Sequence, residues 1–309
     1  MKNSKEIDIA QKLIRCKSIA PKDGGTLSIV EKECKAMGFK CTKLRFSEKG
    51  FDTINNLYAE IGNGKPHFSF AGHVDIVPAD KKEWKVDPFE GKIKNNFLIG
   101  RGACDMKSAI ACFLSAAKNY LGENKNFKGK ISIIITGDEE TYAVNGTKKI
   151  LIWLKKKKIK IDNCLVGEPT NLKVLGDQIK IGRRGGFNGT VEVQGKAGHS
   201  AWPSRTINPI PALMKMLNNI DKKILDKGTK HFQPSIISIT SIDVGNEALN
   251  VIPAKARGSF NIRFNPRHTI KSLTKWIKKE FNKVGFKYKL ETYVSGNAFL
   301  TKPGKFSEL

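Results

Sequence analysis

Short apolar runs that break off at a histidine or a carboxylate constrain this chain more than any other feature of its sequence. Residues 67–77 and 131–136 are such runs and suit buried strands, while apolar residues recur at helical spacing over 7–14 and 27–37. Residues 105–120 read as a helix opened by a glycine-rich turn, and 163–166 as another short strand that ends in Gly167, Glu168 and Pro169. Buried strands that alternate with helices imply an α/β sheet. Polar residues then collect at strand ends, where such sheets place their ligands.

From residue 185 to 294 the rhythm changes. A strand at 187–194, a helix at 209–225, strands at 235–243 and 256–264, a helix at 270–284 and a strand at 288–294 give the order βαββαβ. Such a unit closes a four-stranded sheet with both helices on one face, so this stretch is expected to be a second domain inserted into the first. The first domain would resume near Ser295 and have only residues 295–309 left.

With 309 residues, 39% of them hydrophobic, the chain can bury a sizeable core in one large domain or two smaller ones. The formal net charge of +26 suits anionic partners of several kinds. Its lysines are scattered, without interleaved aromatic residues or a reading motif, which argues against nucleic acid as the main partner. The densest run, 155–160, reads as the solvated C-terminal end of a helix. Cys16, Cys34, Cys41, Cys104, Cys112 and Cys164 form no CxxC pair, which implies a reducing cytoplasm. No apolar run approaches membrane-spanning length, and residues 1–22 lack the apolar core of a signal peptide. A soluble cytoplasmic protein is expected.

The candidate chemistry lies at the strand ends. His73 and Asp75 in Gly-His-Val-Asp share a face of an alternating strand, and a carboxylate two residues from a histidine can orient its ring as metal-binding histidines require. Alone, the pair also fits a satisfied structural histidine. In the glycine-rich turn Asp105 sits where an N-cap would, and alone could be only that. The strand over 131–136 runs into Asp138, Glu139 and Glu140, adjacent carboxylates whose repulsion near a core calls for a compensating cation. Glu168 follows the next strand. One histidine and several carboxylates at successive strand ends converge on a single crevice, and nitrogen and oxygen ligands suit zinc, with manganese or cobalt as substitutes. One carboxylate shared between two ions would make a two-metal hydrolytic site.

These residues, in this order, resemble the zinc-dependent metallopeptidase clan that contains carboxypeptidases, aminoacylases, acetylornithine deacetylase and succinyl-diaminopimelate desuccinylase, and most specifically the desuccinylase family. The resemblance spans nearly the whole chain and rests on Phe70 to Pro78, Trp84 with Asp87-Pro-Phe89, Gly100 to Lys107, Thr136 to Glu140, Val166 to Pro169, Gly176-Asp177, Gly182-Arg-Arg-Gly185, Asn250 to Pro253, Phe260 to Phe264 and Phe299 to Thr301. It implies a mixed-sheet zinc-hydrolase catalytic domain over 1–182, an inserted ferredoxin-like dimerisation domain over 183–294, and a returning catalytic segment from 295. His73, Asp105 and Glu168 would hold one zinc, and Asp105 would bridge to a second zinc held by Glu140. Asp75 would orient His73, Glu139 would act as general base, and His199, lent across a homodimer, would stabilise the oxyanion. Arg183, Asn250 and Arg263 would bind the carboxylates of an anionic small molecule, the N-succinyl-LL-2,6-diaminopimelate on which the family acts.

The sequence departs from the family at Gly186, where desuccinylases usually carry Ser, and at Trp202, where they usually carry Tyr. Residues 199–208 also resemble acetylornithine deacetylase, which keeps a neighbouring N-acyl-amino-acid deacylase as the alternative. The family continues past its Phe-Leu-Thr segment to a histidine of the second zinc site, and none of the five histidines here matches it. A second site that lacks this ligand, or a catalytically impaired homologue, is the expectation for the chain as written.

Overall fold

A computed structural model describes residues 4–221 and 223–308. The chain divides into two units, Met1–Leu175 and Gly176–Leu309.

In the first unit, α1 (Lys5–Arg15) and α2 (Thr26–Ala36) lead into strands β1 (Lys40–Phe46), β2 (Ile54–Asn63) and β3 (His67–His73). A small hairpin, β4 (Lys92–Lys94) and β5 (Phe97–Ile99), precedes α3 (Ser108–Glu123), β6 (Gly129–Thr136), α4 (Thr147–Lys156) and β7 (Asn163–Val166). The sheet order is β1-β2-β6-β3-β7. The β1/β2 and β2/β6 pairs are antiparallel, and β3 runs parallel to both β6 and β7, so the sheet is mixed, as expected. Ile133, Ile134 and Ile135 of β6 are all at most 2% exposed, the near-continuous apolar run that a strand covered on both faces requires. Leu13, Val30, Ile110 and Leu114 of α1, α2 and α3 pack with Leu57, Phe70, Ile133 and Ile135 in one cluster. Ile150 and Leu154 of α4 pack with Leu44, Tyr58 and Ile134 in another.

This wiring sets the site. Parallel pairing requires the crossovers through α3 and α4, and it brings the C-terminal ends of β3, β6 and β7 to one edge of the sheet. His73 pairs in register with Thr136, and Ala71 with Val166, so the residues just beyond each strand start side by side. Two boundaries differ from expectation. β3 stops at His73, because Val74 then donates to Thr136 and Ile76 to Ser18, outside the ladder. α3 begins at Ser108 and not at Asp105, because Asp105 (φ −121°, ψ 96°) and Met106 (φ −135°, ψ 29°) are not helical.

The second unit contains β8 (Gly182–Arg183), β9 (Gly185–Gln194), β10 (Gly198–His199), α5 (Pro209–Asp221), β11 (Ile236–Asp243), β12 (Val251–Ile252), β13 (Lys255–Phe264), α6 (Ile270–Asn282), β14 (Tyr288–Gly296) and β15 (Phe299–Leu300). The main strands order as β11-β13-β9-β14, all antiparallel, which is the expected βαββαβ arrangement. β13 alternates buried and less buried positions along its length. Its buried Phe260 and Ile262 pack with Phe187 and Val191 of β9, Leu213 and Leu217 of α5 and Ile277 and Phe281 of α6. α6 opens on a capping box between Thr269 and Ser272. β15 pairs with β8 within this unit.

The centre of that sheet leaves no spare volume. A Cβ at Gly189 would run into the ring of Phe260, which is 1% exposed and cannot swing aside. Gly189→Ala is expected to cost about 1–3 kcal/mol by overpacking. Chemical denaturation checks this, and an unchanged midpoint would refute the packing argument.

Candidate metal centre

His73 is the last residue of β3 and is 1% exposed. Its Nδ1 lies 3.0 Å from the carbonyl oxygen of Asp75 and 3.5 Å from the carboxylate Oδ1 of the same residue. Its Nε2 therefore faces outward, 3.0 Å from Asp105 Oδ1 and 3.5 Å from Glu168 Oε1. One nitrogen anchored from behind and the other directed at two carboxylates is the disposition of a metal-binding histidine.

The spacing fits a cation. Bonds of about 2 Å at tetrahedral angles put neighbouring ligand atoms about 3.3 Å apart. The ligand atoms of His73, Asp105 and Glu168 all lie within 4.8 Å of one another, and so do those of His73, Glu139 and Glu140. The residues present thus fit one ion on the first set and carboxylates for a neighbouring one.

Asp105 reaches this position from an irregular loop. Gly102 takes a left-handed turn (φ 77°), the Lys107 N–H donates to the Gly102 carbonyl at 2.9 Å, and the Asp105–Met106 peptide is cis. Asp105 is not an N-cap, contrary to the simplest reading of its local sequence, because Lys107 occupies the position before α3. Met106 is buried and its sulfur accepts the His73 backbone N–H at 3.4 Å.

Glu139 and Glu140 follow β6, and their backbone N–H groups both donate to Asp75 Oδ2, at 2.9 and 2.8 Å. The Asp75 carboxylate thus holds the loop that carries both glutamates, while its backbone carbonyl is the nearer partner of His73 Nδ1. Asp138 does not join the cluster. It turns inward, 4% exposed, and accepts hydrogen bonds from Thr141 Oγ1 (2.6 Å) and from the N–H groups of Ala143 (3.1 Å) and Asn145 (2.8 Å). The expected repulsion among three adjacent carboxylates is thus confined to Glu139 and Glu140. Sequence reasoning missed this inward turn, and its one local signal was the Thr three residues after Asp138.

The electrostatics express the crowding. Burial, with Asp105 and Glu139 nearby and despite His73, pushes the Glu168 carboxyl up to about 7, and burial with Asp105 raises Glu140 as well. Burial disfavours a charged His73, yet Asp75, Glu168 and Asp105 around it outweigh that and hold it up at about 10. The cluster retains protons that a divalent cation would displace.

The remaining expected site residues lie in the second unit. His199 of β10 pairs opposite Val251 of β12, and Ser200 N–H donates to the Asn250 carbonyl at 2.8 Å. The Asn250 side-chain nitrogen stands 3.5 Å from His199 Nε2, so these two residues are brought together. Ala201 N–H donates to His199 Nδ1 at 3.1 Å. Arg183 of β8 pairs opposite Phe299, and exposed Arg263 of β13 pairs opposite Gly186, one of the positions that departs from the expected pattern. Trp202, the other, is 59% exposed and stacks on Arg205.

A mixed α/β sheet whose strand ends gather a histidine and four carboxylates able to ligate metal defines a metal-dependent hydrolase. The chain belongs to the peptidase family M20/M25/M40, whose profile matches residues 69–308. It is 50% identical over 308 residues to the succinyl-diaminopimelate desuccinylase of Parvibaculum lavamentivorans, covering 98% of this chain and 78% of that protein. With the enzyme of the same name from Pelagibacter ubique it shares 51% over 305 residues, covering 97% and 79%. Solved structures share the fold: an M20 family metallo-carboxypeptidase from Sulfolobus solfataricus (TM-score 0.71, 20% identity, 94% of this chain and 78% of that one) and a dinuclear metal-binding peptidase of the same family from Bacillus subtilis (0.69, 15%, 98% and 76%). Among the described residues, no helix is long and apolar enough to cross a membrane.

Two outcomes are expected. Because His73 and Glu168 must give up protons to a cation, zinc binding to metal-free protein should tighten as pH rises through about 7. Calorimetry in buffers of different ionisation enthalpy would register proton release, and binding that is indifferent to pH from 6 to 8 would contradict it. Asp138→Ala should cost about 1–3 kcal/mol, since it strands the buried N–H of Asn145, and denaturant melts measure it.

Proposed function

We propose that this chain hydrolyses the amide bond of N-succinyl-LL-2,6-diaminopimelate to succinate and LL-2,6-diaminopimelate, a step of lysine and diaminopimelate biosynthesis. One observation carries the reading: the ring nitrogen of His73 that Asp75 leaves free faces Asp105 and Glu168, in a chain half identical to desuccinylases along nearly its whole length. His73, Asp105 and Glu168 would hold one zinc, and Asp105 would share a second with Glu140; cobalt is the expected substitute. The metals, when bound, acidify water and polarise the scissile carbonyl.

The chain's own groups do the rest. Glu139, on the loop that Asp75 fixes, takes the proton of the attacking water and returns it to the leaving amine. Asp75 holds the ring of His73. His199, contributed by a second copy through residues 183–294, offers its Nε2–H to the oxyanion of the tetrahedral state. Arg183, Arg263 and Asn250 bind the carboxylates of the substrate, where arginine's planar fork suits the task. The +26 net charge favours the approach of such an anion, and the location is proposed to be cytoplasmic.

A related N-acyl-amino-acid deacylase, such as an acetylornithine deacetylase, is the second reading, favoured by the stretch of residues 199–208. Parallel assays of succinyl-diaminopimelate and acetylornithine, with elemental analysis of protein prepared without chelator, separate the two. Turnover of the succinyl substrate and at least one zinc per chain are expected, and a metal-free protein without turnover would refute the reading. Glu139→Gln should lower kcat about 10²–10⁴-fold while metal content stays unchanged.

A further inference from the structure

Lys107 is 0% exposed, although burying an ammonium group costs several kcal/mol unless its donors are satisfied. An apolar side chain of similar length would fill the same space without that cost. Its Nζ donates to the carbonyl oxygens of Leu13 and Cys16, both at 2.9 Å. These belong to the last turn of α1 and the residue after it, where a helix leaves carbonyls short of partners and favours a cation.

What the ammonium group joins matters more than the bonds themselves. Just after Cys16, Ser18 Oγ donates to the Val74 carbonyl at 2.5 Å, Ile76 N–H donates to the Ser18 carbonyl at 3.1 Å, and Ile19 bridges to Ile76. Val74 and Ile76 flank Asp75, so Lys107 ties its own loop to the segment that lies against the root of the metal centre. One residue earlier, Met106 is 0% exposed and occupies the space that glycines leave at the ends of two strands: a Cβ on Gly72 would come within 2.7 Å of its Cε, and one on Gly167 within 2.8 Å. Asp105 is thus bracketed, with Met106 packed toward His73 and Lys107 hydrogen-bonded to the end of α1.

We propose that Lys107 is a positioning residue that presents Asp105 to the metal ions by locking the loop of residues 100–107 to the C-terminal end of α1. The inference rests on the reading of Asp105 as a metal ligand. Outer groups that orient ligands are worth on the order of 10–100-fold in metal affinity, and the same range is expected here.

The test compares the parent chain with Lys107→Met, which keeps length and apolar packing but removes charge and donors. Zinc affinity is read by chelator competition, ligand geometry by the visible spectrum of the cobalt-loaded protein, and folding by the melting temperature without metal. The expected result is a tenfold or greater loss of zinc affinity with a changed cobalt spectrum in a folded protein. Unchanged affinity and spectrum would overturn the proposal, whatever the melting temperature does. If Lys107→Met does not fold, Lys107→Gln, which keeps an uncharged N–H donor group on a shorter side chain, takes the same measurements. Failure of both to fold would overturn it too, because Lys107 would then be a folding residue first. A parent chain that binds no metal would instead refute the metal reading of the site, so the two failures are distinct.

Discussion

The buried carboxylate of Asp75 is the interaction on which the metal centre depends. At 1% exposure it cannot be left to water. Oδ2 accepts the N–H groups of Glu139 and Glu140, while Oδ1 and the backbone carbonyl face His73 Nδ1. A single anion thereby links the end of β3 to the loop after β6. Hydrogen bonds to a charged acceptor in a low-dielectric setting are the stronger kind, and the arrangement is stiff for that reason. Burial lowers the pKa of the Lys107 ammonium group to about 8, and the charge of Asp75 is among those that oppose the shift.

Sheet wiring converts this anchor into a site. Because β3 lies between β6 and β7 and runs parallel to both, three chain segments leave the sheet at the same edge, in adjacent register. Side chains that are far apart in sequence then crowd within a few ångströms. Burial first, and the neighbouring carboxylates after it, make Glu168 and Glu140 hold their protons more tightly than free carboxylates do. Protonation of such a group is a property of the cluster, shared with His73, and not of one residue. A divalent cation removes the conflict and uses the same geometry.

The second unit obeys simpler rules. Its strands alternate in burial, its helices cover one face, and α5 and α6 each carry the chain past one strand to the next but one. Local patterning therefore suffices to define it, and the predicted strands and helices fall close to the observed ones. Where β10 and β12 pair, the short ladder sets His199 beside Asn250.

The sequence by itself determined the mixed α/β organisation and the βαββαβ order, and it offered His73, Asp105, Glu140 and Glu168 as candidate ligands with Glu139 as candidate base, because strand periodicity and strand-end polarity are local properties. It did not reveal β1 and β2, or the hairpin, whose residues carry weaker patterns. Nor did it separate Asp138 from its two acidic neighbours, show that Asp105 precedes a helix without capping it, or mark Lys107 among 55 lysines and arginines. Those distinctions depend on where each side chain finds its partner: Asp138 in Thr141, Ala143 and Asn145, Asp105 in His73, and Lys107 in the end of α1. Asp105 and Lys107 meet their partners across dozens of residues of chain, and even the local bonds of Asp138 depend on the turn the loop takes. Tertiary structure alone decided them, since the energy of a buried polar group is set by the atoms packed around it and not by its neighbours in sequence.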